Sequence, residues 1–312
     1  MTARAHRGLV LAHFISAAAA FGVRGAEPQP PRAPSASTLT NPLVIPFEFR
    51  RGHVMIPVQV SGTNSRMFML DTGYGTTMLE PGLAEGLQLR RTGQITIIGI
   101  AGEAPAGVYE GPRLDFGAVS WTPRRVAAFP MNEAGRRRTG ILGAGFFRRF
   151  VVEIDQRTKQ VTLREPASFD YAGDGEILNL RFRRDTPILS ASLEAAGGKV
   201  VSGEFELDTG CDSSLCLARD FTEKQGLAPP PGEGRGGGRS GVGGGAGTRS
   251  GRLESLQLGR LRVERPEANF FQQGSPAGDG MAGHIGIEAF RDFKIIIDYS
   301  RRRLILESKP SP

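Results

Sequence analysis

Two stretches of this 312-residue chain carry the residues best suited to chemistry. They are Phe68-Met69-Leu70-Asp71-Thr72-Gly73 and Phe205-Glu206-Leu207-Asp208-Thr209-Gly210. In each, apolar residues run into an acid, a β-branched hydroxyl residue and a glycine. A half-buried strand ending in a tight turn reads this way, with the carboxylate set at the strand's end. At average composition a given tripeptide occurs in about one chain of this length in twenty, so two copies after Phe-x-Leu are not chance. A single carboxylate in a turn is usually structural. Two related by duplication are different, because pairing two lobes about an approximate two-fold axis brings equivalent residues together. Asp71 and Asp208 would then share one proton, since like charges that close cannot both ionise cheaply. A water between them meets a base on one side and an acid on the other, which suits attack on an amide carbonyl without a covalent intermediate. Gly73 and Gly210 permit the tight turn, and the Thr72 and Thr209 hydroxyls can bond across the axis.

Positioning two such acids takes two matching scaffolds, and the downstream spacing supplies them. Gly143 precedes Phe147, Phe150, Asp155 and Leu163 by four, seven, twelve and twenty residues; Gly286 precedes Phe290, Phe293, Asp298 and Leu306 by the same intervals. Gly102 to Gly117 and Gly244 to Gly259 are each fifteen residues. A period of about 140 residues marks two copies of a domain rather than a solenoid. Lobe one reads as a strand over 53–60, a turn, and a returning strand over 66–70 into Asp71. A short helix at 81–87 follows, then a hairpin of 94–102 and 107–110 with a loose tip. A helical turn at 146–150 and a hairpin of 151–155 and 160–163 complete the lobe. Lobe two repeats the plan with strands at 187–193 and 200–207, a helix at 218–227, and a hairpin of 295–298 and 303–306. A glycine-rich tract, 229–247, replaces the entry and tip of the first lobe's hairpin. Asp155 and Asp298 recur with the repeat, but each sits between an apolar strand and a polar turn, where aspartate starts a β-turn.

Ahead of the lobes, residues 1–25 have the form of a secretory signal. Arg4, His6 and Arg7 make a basic start, 9–21 is an apolar stretch too short for a comfortable membrane span, and Val23-Arg24-Gly25 offers a cleavage site. An uncleaved anchor is the alternative. Residues 26–41, rich in Pro, Ala and Ser, read as a disordered linker. The expected organisation is therefore signal 1–25, linker 26–41, lobes 42–168 and 169–312, in an exported, periplasmic or secreted protein with no membrane span in the mature chain. The net charge is +7, with five lysines against thirty-four arginines. The arginines are dispersed apart from short runs at 136–138 and 301–303, without interleaved aromatics, so a nucleic-acid partner is not expected. Cys211 and Cys216 would point to opposite faces of an extended strand, which argues against a local disulfide. Outside the leader only His53 and His284 remain, too few for a histidine metal centre. No cofactor and no metal are expected.

Asp71-Thr72-Gly73 and Asp208-Thr209-Gly210, followed by Ile141-Leu142-Gly143 and His284-Ile285-Gly286, resemble the aspartic peptidases over residues 42–307. Gly99-Ile100-Ala101-Gly102 and Gly241-Val242-Gly243-Gly244 resemble retropepsin flap tips, which makes Gly99, Ile100, Gly102, Gly241, Val242 and Gly244 flap candidates. The short lobes look closer to a fused pair of retropepsin-like domains, as in exported bacterial proteins, than to pepsin. The resemblance implies a mostly β, bilobal acid-protease barrel fold with a central cleft. It also implies a monomer with an internal pseudo-two-fold, binding a peptide as an extended strand beneath the flaps, with catalytic Asp71 and Asp208.

The chain departs from the family's pattern where Ser or Ala usually follows Asp-Thr-Gly; here stand Tyr74 and Cys211. A serine there would hydrogen-bond the carboxylate and favour ionisation, so its loss should raise the pair's pKa values and give a milder acid optimum. Glu206 and Asp212 add acids beside Asp208, where lobe one has Met69 and Gly75. On that crowding, Asp208 is expected to hold the shared proton. His284, in an apolar slot, is either a hydrogen-bonded residue at the periphery or a charge that tunes the dyad. Gly236-Gly237-Gly238-Arg239-Ser240-Gly241 matches a dinucleotide fingerprint by accident, with no strand before it or helix after it. The competing function is a peptide-binding module on the same scaffold with cleavage lost or slow.

Overall fold

Alternating apolar strands joined by tight polar turns need partners on both edges, and here they assemble into three sheets. The computed structural model describes residues 35–36, 38–131, 139–227, 236–273, 275–278 and 280–308, all within the unit Ala33–Pro312. The leader, residues 26–34 and 37 of the linker, the arginine run at 136–138 and residues 229–235 of the glycine-rich tract lie outside the described residues. Among the described residues, one sheet has eleven strands, ten drawn from lobe one and one from the linker, a second has ten drawn from lobe two, and a third has six drawn from both. The fold is mostly β and bilobal.

Lobe one is built on the hairpin His53–Val60 and Arg66–Leu70. Its apolar residues are buried on both faces, so the strands read as near-continuous hydrophobic runs. Gly140–Leu142 lies parallel to Arg66–Leu70, with Leu142 opposite Leu70, and antiparallel to Met78–Leu79. Lobe two repeats this with Thr186–Ala195 and Lys199–Asp208, beside which Gly283–Gly286 runs parallel. The helices Pro81–Gly86 and Arg219–Gln225 stand near the positions expected, as does the single turn Ala144–Arg149. Its partner in lobe two is tighter, a 3₁₀ turn at Ile287–Phe290.

The third sheet joins the lobes. Val151–Asp155 pairs antiparallel with Phe293–Asp298, placing Val152 opposite Ile297 and Ile154 opposite Ile295. Each strand also pairs with its own hairpin partner, Gln160–Arg164 and Arg303–Ser308. Leu43–Pro46 and Glu176–Asn179 form the edges, two strands that their short mixed patterns did not announce. The ladder explains why both hairpins are so rich in Ile and Val: the sheet is covered on both faces, and each such side chain is worth about 1.5–3 kcal/mol on full burial. Asp155 and Asp298 behave as turn formers. Asp155 accepts the Arg157 N–H at 2.9 Å, and Asp298 accepts the Arg301 N–H at 3.1 Å.

The linker differs from its expected disorder. Ser35–Ala36 pairs with Val119–Thr122, and Leu39 is buried in the main core with its N–H donated to Glu165 at 3.2 Å. One apolar side chain with a core site to fill outweighs the Pro-Ala-Ser composition around it. Among the described residues no helix is long and apolar enough to cross a membrane.

Candidate active site

Both Asp-Thr-Gly turns sit at the end of a central strand, flanked by the parallel strand that closes each lobe. Asp71 donates its N–H to Leu142 C=O at 3.1 Å, which pins the turn to that neighbour. The turns face each other and are bonded reciprocally. The Thr209 hydroxyl accepts the Thr72 N–H at 3.1 Å and donates to Leu70 C=O at 3.1 Å. The Thr72 hydroxyl accepts the Thr209 N–H at 3.0 Å and donates to Leu207 C=O at 2.6 Å. Both threonines are fully buried. Within each turn the acid's Oδ1 accepts the glycine N–H two residues on, at 2.9 Å in both copies. The Asp71 side chain hydrogen-bonds the Asp208 carboxylate.

The glycines serve a purpose different from the one expected. Neither Gly73 nor Gly210 has a positive φ. Their requirement is space: a Cβ on Gly210 would fall on the Asp71 carboxylate, and one on Gly73 would stand 2.9 Å from Asp208 Oδ1. Each turn thus makes room for the opposite lobe's acid, a demand set across the interface rather than by local conformation.

His284 is not peripheral. Its Nδ1 lies 2.8 Å from Asp208 Oδ2 and its Nε2 lies 3.1 Å from Glu206 Oε2. Burial works to lower the His284 pKa, but the Asp208 charge and hydrogen bond, aided by Cys211 and Glu206, hold it well above the usual imidazole value. Burial likewise pushes Asp208 up, yet the His284 charge and hydrogen bond, then the bonds from Asp71 and the Gly210 N–H, bring it below the ordinary aspartate value. This runs against the expectation for Asp208: its pKa is lowered rather than raised, because an imidazole supplies the donor that the missing serine would have given.

Asp212 is held by an arginine. It pairs with Arg239 at 2.5 Å, and the same guanidinium donates to the Ser213 hydroxyl. The cysteines also depart from their expected separation. Cys211 lies in the turn rather than on a strand, so its Sγ swings to 3.3 Å from Cys216 Sγ, with both thiols reduced. That contact, with burial, pushes the Cys211 thiol well above its ordinary value. Tyr74 is half-buried and packs with the apolar cluster under the first flap. Among the described residues no group of three or more His, Cys, Asp or Glu could hold a metal ion.

Two hairpins carry the flap candidates. Arg91–Gly99 pairs with Gly102–Glu110, so the first tip is a tight Ile100-Ala101 turn rather than a loose one. Gly236–Gly241 pairs with Gly244–Arg252, so the glycine-rich tract forms a second hairpin of the same kind. Gly102, Gly243 and Gly244 have φ of +146°, +86° and +116°, values that L side chains avoid. The tips meet: Ala101 donates its N–H to Val242 C=O at 3.3 Å, and a Cβ on Gly99 would strike Val242. They also exchange sides. Val242 packs with Met55, Met69, Met78 and Ile97 of lobe one, while Ile100 packs with Cys216, Ala246 and Phe271 of lobe two. Gly241 lies against Ile100. The residues that sequence reasoning missed are Arg239 and Ser213, which tie the second flap to the base of the site; an isolated arginine in a glycine tract carries no such signal.

The fold, mostly β with two lobes, is of the aspartic-proteinase kind. Residues 56–146 match the family described as aspartyl protease. Among solved structures the chain is similar to the aspartic proteinase from Irpex lacteus, at 13% identity and a TM-score of 0.56, covering 86% of this chain and 98% of that one. No curated protein sequence matches.

Proposed function

We propose that the protein is an aspartic endopeptidase in which Asp71 and Asp208, one from each lobe, activate a water against a peptide carbonyl. The observation that supports this reading is the meeting of two Asp-Thr-Gly turns, cross-bonded through Thr72 and Thr209, with the Asp71 side chain hydrogen-bonded to Asp208. One carboxylate of such a pair is ionised and the other protonated. The ionised acid takes a proton from water as its oxygen attacks the carbonyl carbon, and the protonated acid gives its proton to the carbonyl oxygen. The gem-diol then collapses: the first acid returns a proton to the leaving nitrogen, the C–N bond breaks, and the second acid recovers its proton from a diol hydroxyl. The two hairpins would close as flaps over an extended peptide and offer it backbone partners. The reading includes a monomer of two lobes, 42–168 and 169–312, related by a pseudo-two-fold. It includes export directed by residues 1–25.

Cleavage of denatured casein and of a mixed peptide library from pH 3 to 8 tests the reading. Turnover that Asp71→Asn and Asp208→Asn each abolish is the expected result. Peptide binding without turnover at any pH would instead favour a binding module.

A further inference from the structure

The two lobes differ at one corresponding pair of residues beside the dyad. In lobe one, Met69 and Ile141 sit side by side on parallel strands, inside an apolar cluster. In lobe two the same two register positions hold Glu206 and His284. Each His284 nitrogen faces a carboxylate oxygen, Asp208 at 2.8 Å and Glu206 at 3.1 Å. With both acids ionised each only accepts, and a neutral imidazole has one N–H, so bonding both then takes an imidazolium. Glu206 is itself anchored by the Gly278 N–H at 3.1 Å, with the Arg183 guanidinium close to the same point. The other groups facing His284 are Cys211 in the turn and Cys216 on the antiparallel neighbour, opposite His284 in register. Beyond the cysteines stands Arg239, and across the dyad stands Asp71.

We propose that His284, held as an imidazolium by Glu206, is a positioning residue that replaces the absent hydroxyl donor after Asp208-Thr209-Gly210 and keeps Asp208 the ionised acid at low pH. Asp208 Oδ1 is occupied by the Gly210 N–H and Oδ2 by His284. Asp208 is therefore the base that takes the proton from water, and Asp71 carries the proton that goes to the substrate carbonyl. This rests on the reading of Asp71 and Asp208 as a peptidase dyad. It adds an asymmetry: the base always comes from lobe two.

The test copies the lobe-one pair into lobe two, as Glu206→Met with His284→Ile, a change the fold already accommodates at Met69 and Ile141. The acid limb of the kcat/KM profile should move up by about one pH unit or more, the size of shift one adjacent charge produces on a carboxylate. Adding Cys211→Ser restores a hydroxyl donor, and the limb should return toward the wild-type position, which a merely structural role for His284 would not predict. The side-chain ¹⁵N resonances of His284, identified by their loss in the double variant, should be those of an imidazolium at pH 7. An acid limb that stays put in the folded double variant, or a neutral ring at pH 7, overturns the proposal. A wild type that cleaves nothing at any pH sinks the peptidase reading and the catalytic role with it, while the ¹⁵N resonances still decide the ion pair.

Discussion

Replacing Thr209 with Val is the sharpest test of how the two lobes are held at the dyad. Valine keeps the shape of threonine, so no cavity opens and the change isolates the hydroxyl. That hydroxyl accepts the Thr72 N–H and donates to Leu70 C=O, both at 3.1 Å, at a fully buried position. The Thr72 N–H is a single donor in a dry site, and leaving it unpaired costs about 1–3 kcal/mol. Leu70 C=O loses one of two possible partners, a smaller penalty of about 1 kcal/mol. Thr209→Val should therefore destabilise the protein by about 2–4 kcal/mol. Thr77→Val is the matched control, because the buried Thr77 hydroxyl has no hydrogen-bond partner and its removal should be neutral or slightly stabilising. The assay is urea unfolding followed by far-UV circular dichroism and by fluorescence of Trp121, the single tryptophan, buried beside Phe146. With a slope of about 3 kcal/mol per M, the midpoint should fall by about 1 M at unchanged slope. A fall of less than about 0.3 M, or an equal fall in Thr77→Val, would refute the reasoning.

Two further outcomes follow from the site. The Asp208–His284 pair gives stability a pH window. Asp208 titrates lower in the folded protein than its ordinary 3.8, so its contribution is present above that value and lost as pH falls through the folded pKa. His284 titrates well above 6.5 when folded, so its contribution is complete below 6.5 and lost as pH rises through the raised value. Thermal midpoints should peak between 3.8 and 6.5, and the Glu206→Met, His284→Ile variant should flatten that peak; an unchanged profile would count against the pair. Gly210→Ala should abolish cleavage, since its Cβ would land on the Asp71 carboxylate. Gly73→Ala, with 2.9 Å to Asp208 Oδ1, should leave measurable turnover. The kcat of the two variants on one peptide decides it, and equal loss would remove the asymmetry from the argument.

Much of this was readable from the chain. The strands His53–Val60, Arg66–Leu70 and Val151–Asp155 stand at their expected bounds. Each is a run of β-formers bounded by polar turn residues, a local pattern that burial on both faces only reinforces. The glycine-rich tract misled because it has no apolar period. Its hairpin is held by the ladder to Arg249 and Thr248, and by Val242 reaching into the other lobe's cluster. The role of His284 was hidden for another reason. It contacts an acid 78 residues earlier in the chain, through the register of two parallel strands.

By itself, the sequence determined the duplication, the two Asp-Thr-Gly turns and the β-rich lobes, because equal spacing and local patterning survive without coordinates. Only the tertiary structure decided what each turn meets. Parallel pairing set His284 between Asp208 and Glu206, the opposite acid's approach dictated the glycines, and the flap tips crossed to bury Ile100 and Val242 in each other's lobes. The physical reason is that hydrogen bonds and charge act through space over a few ångströms. Which of two identical-looking aspartates ionises is therefore set by neighbours the chain brings from far away.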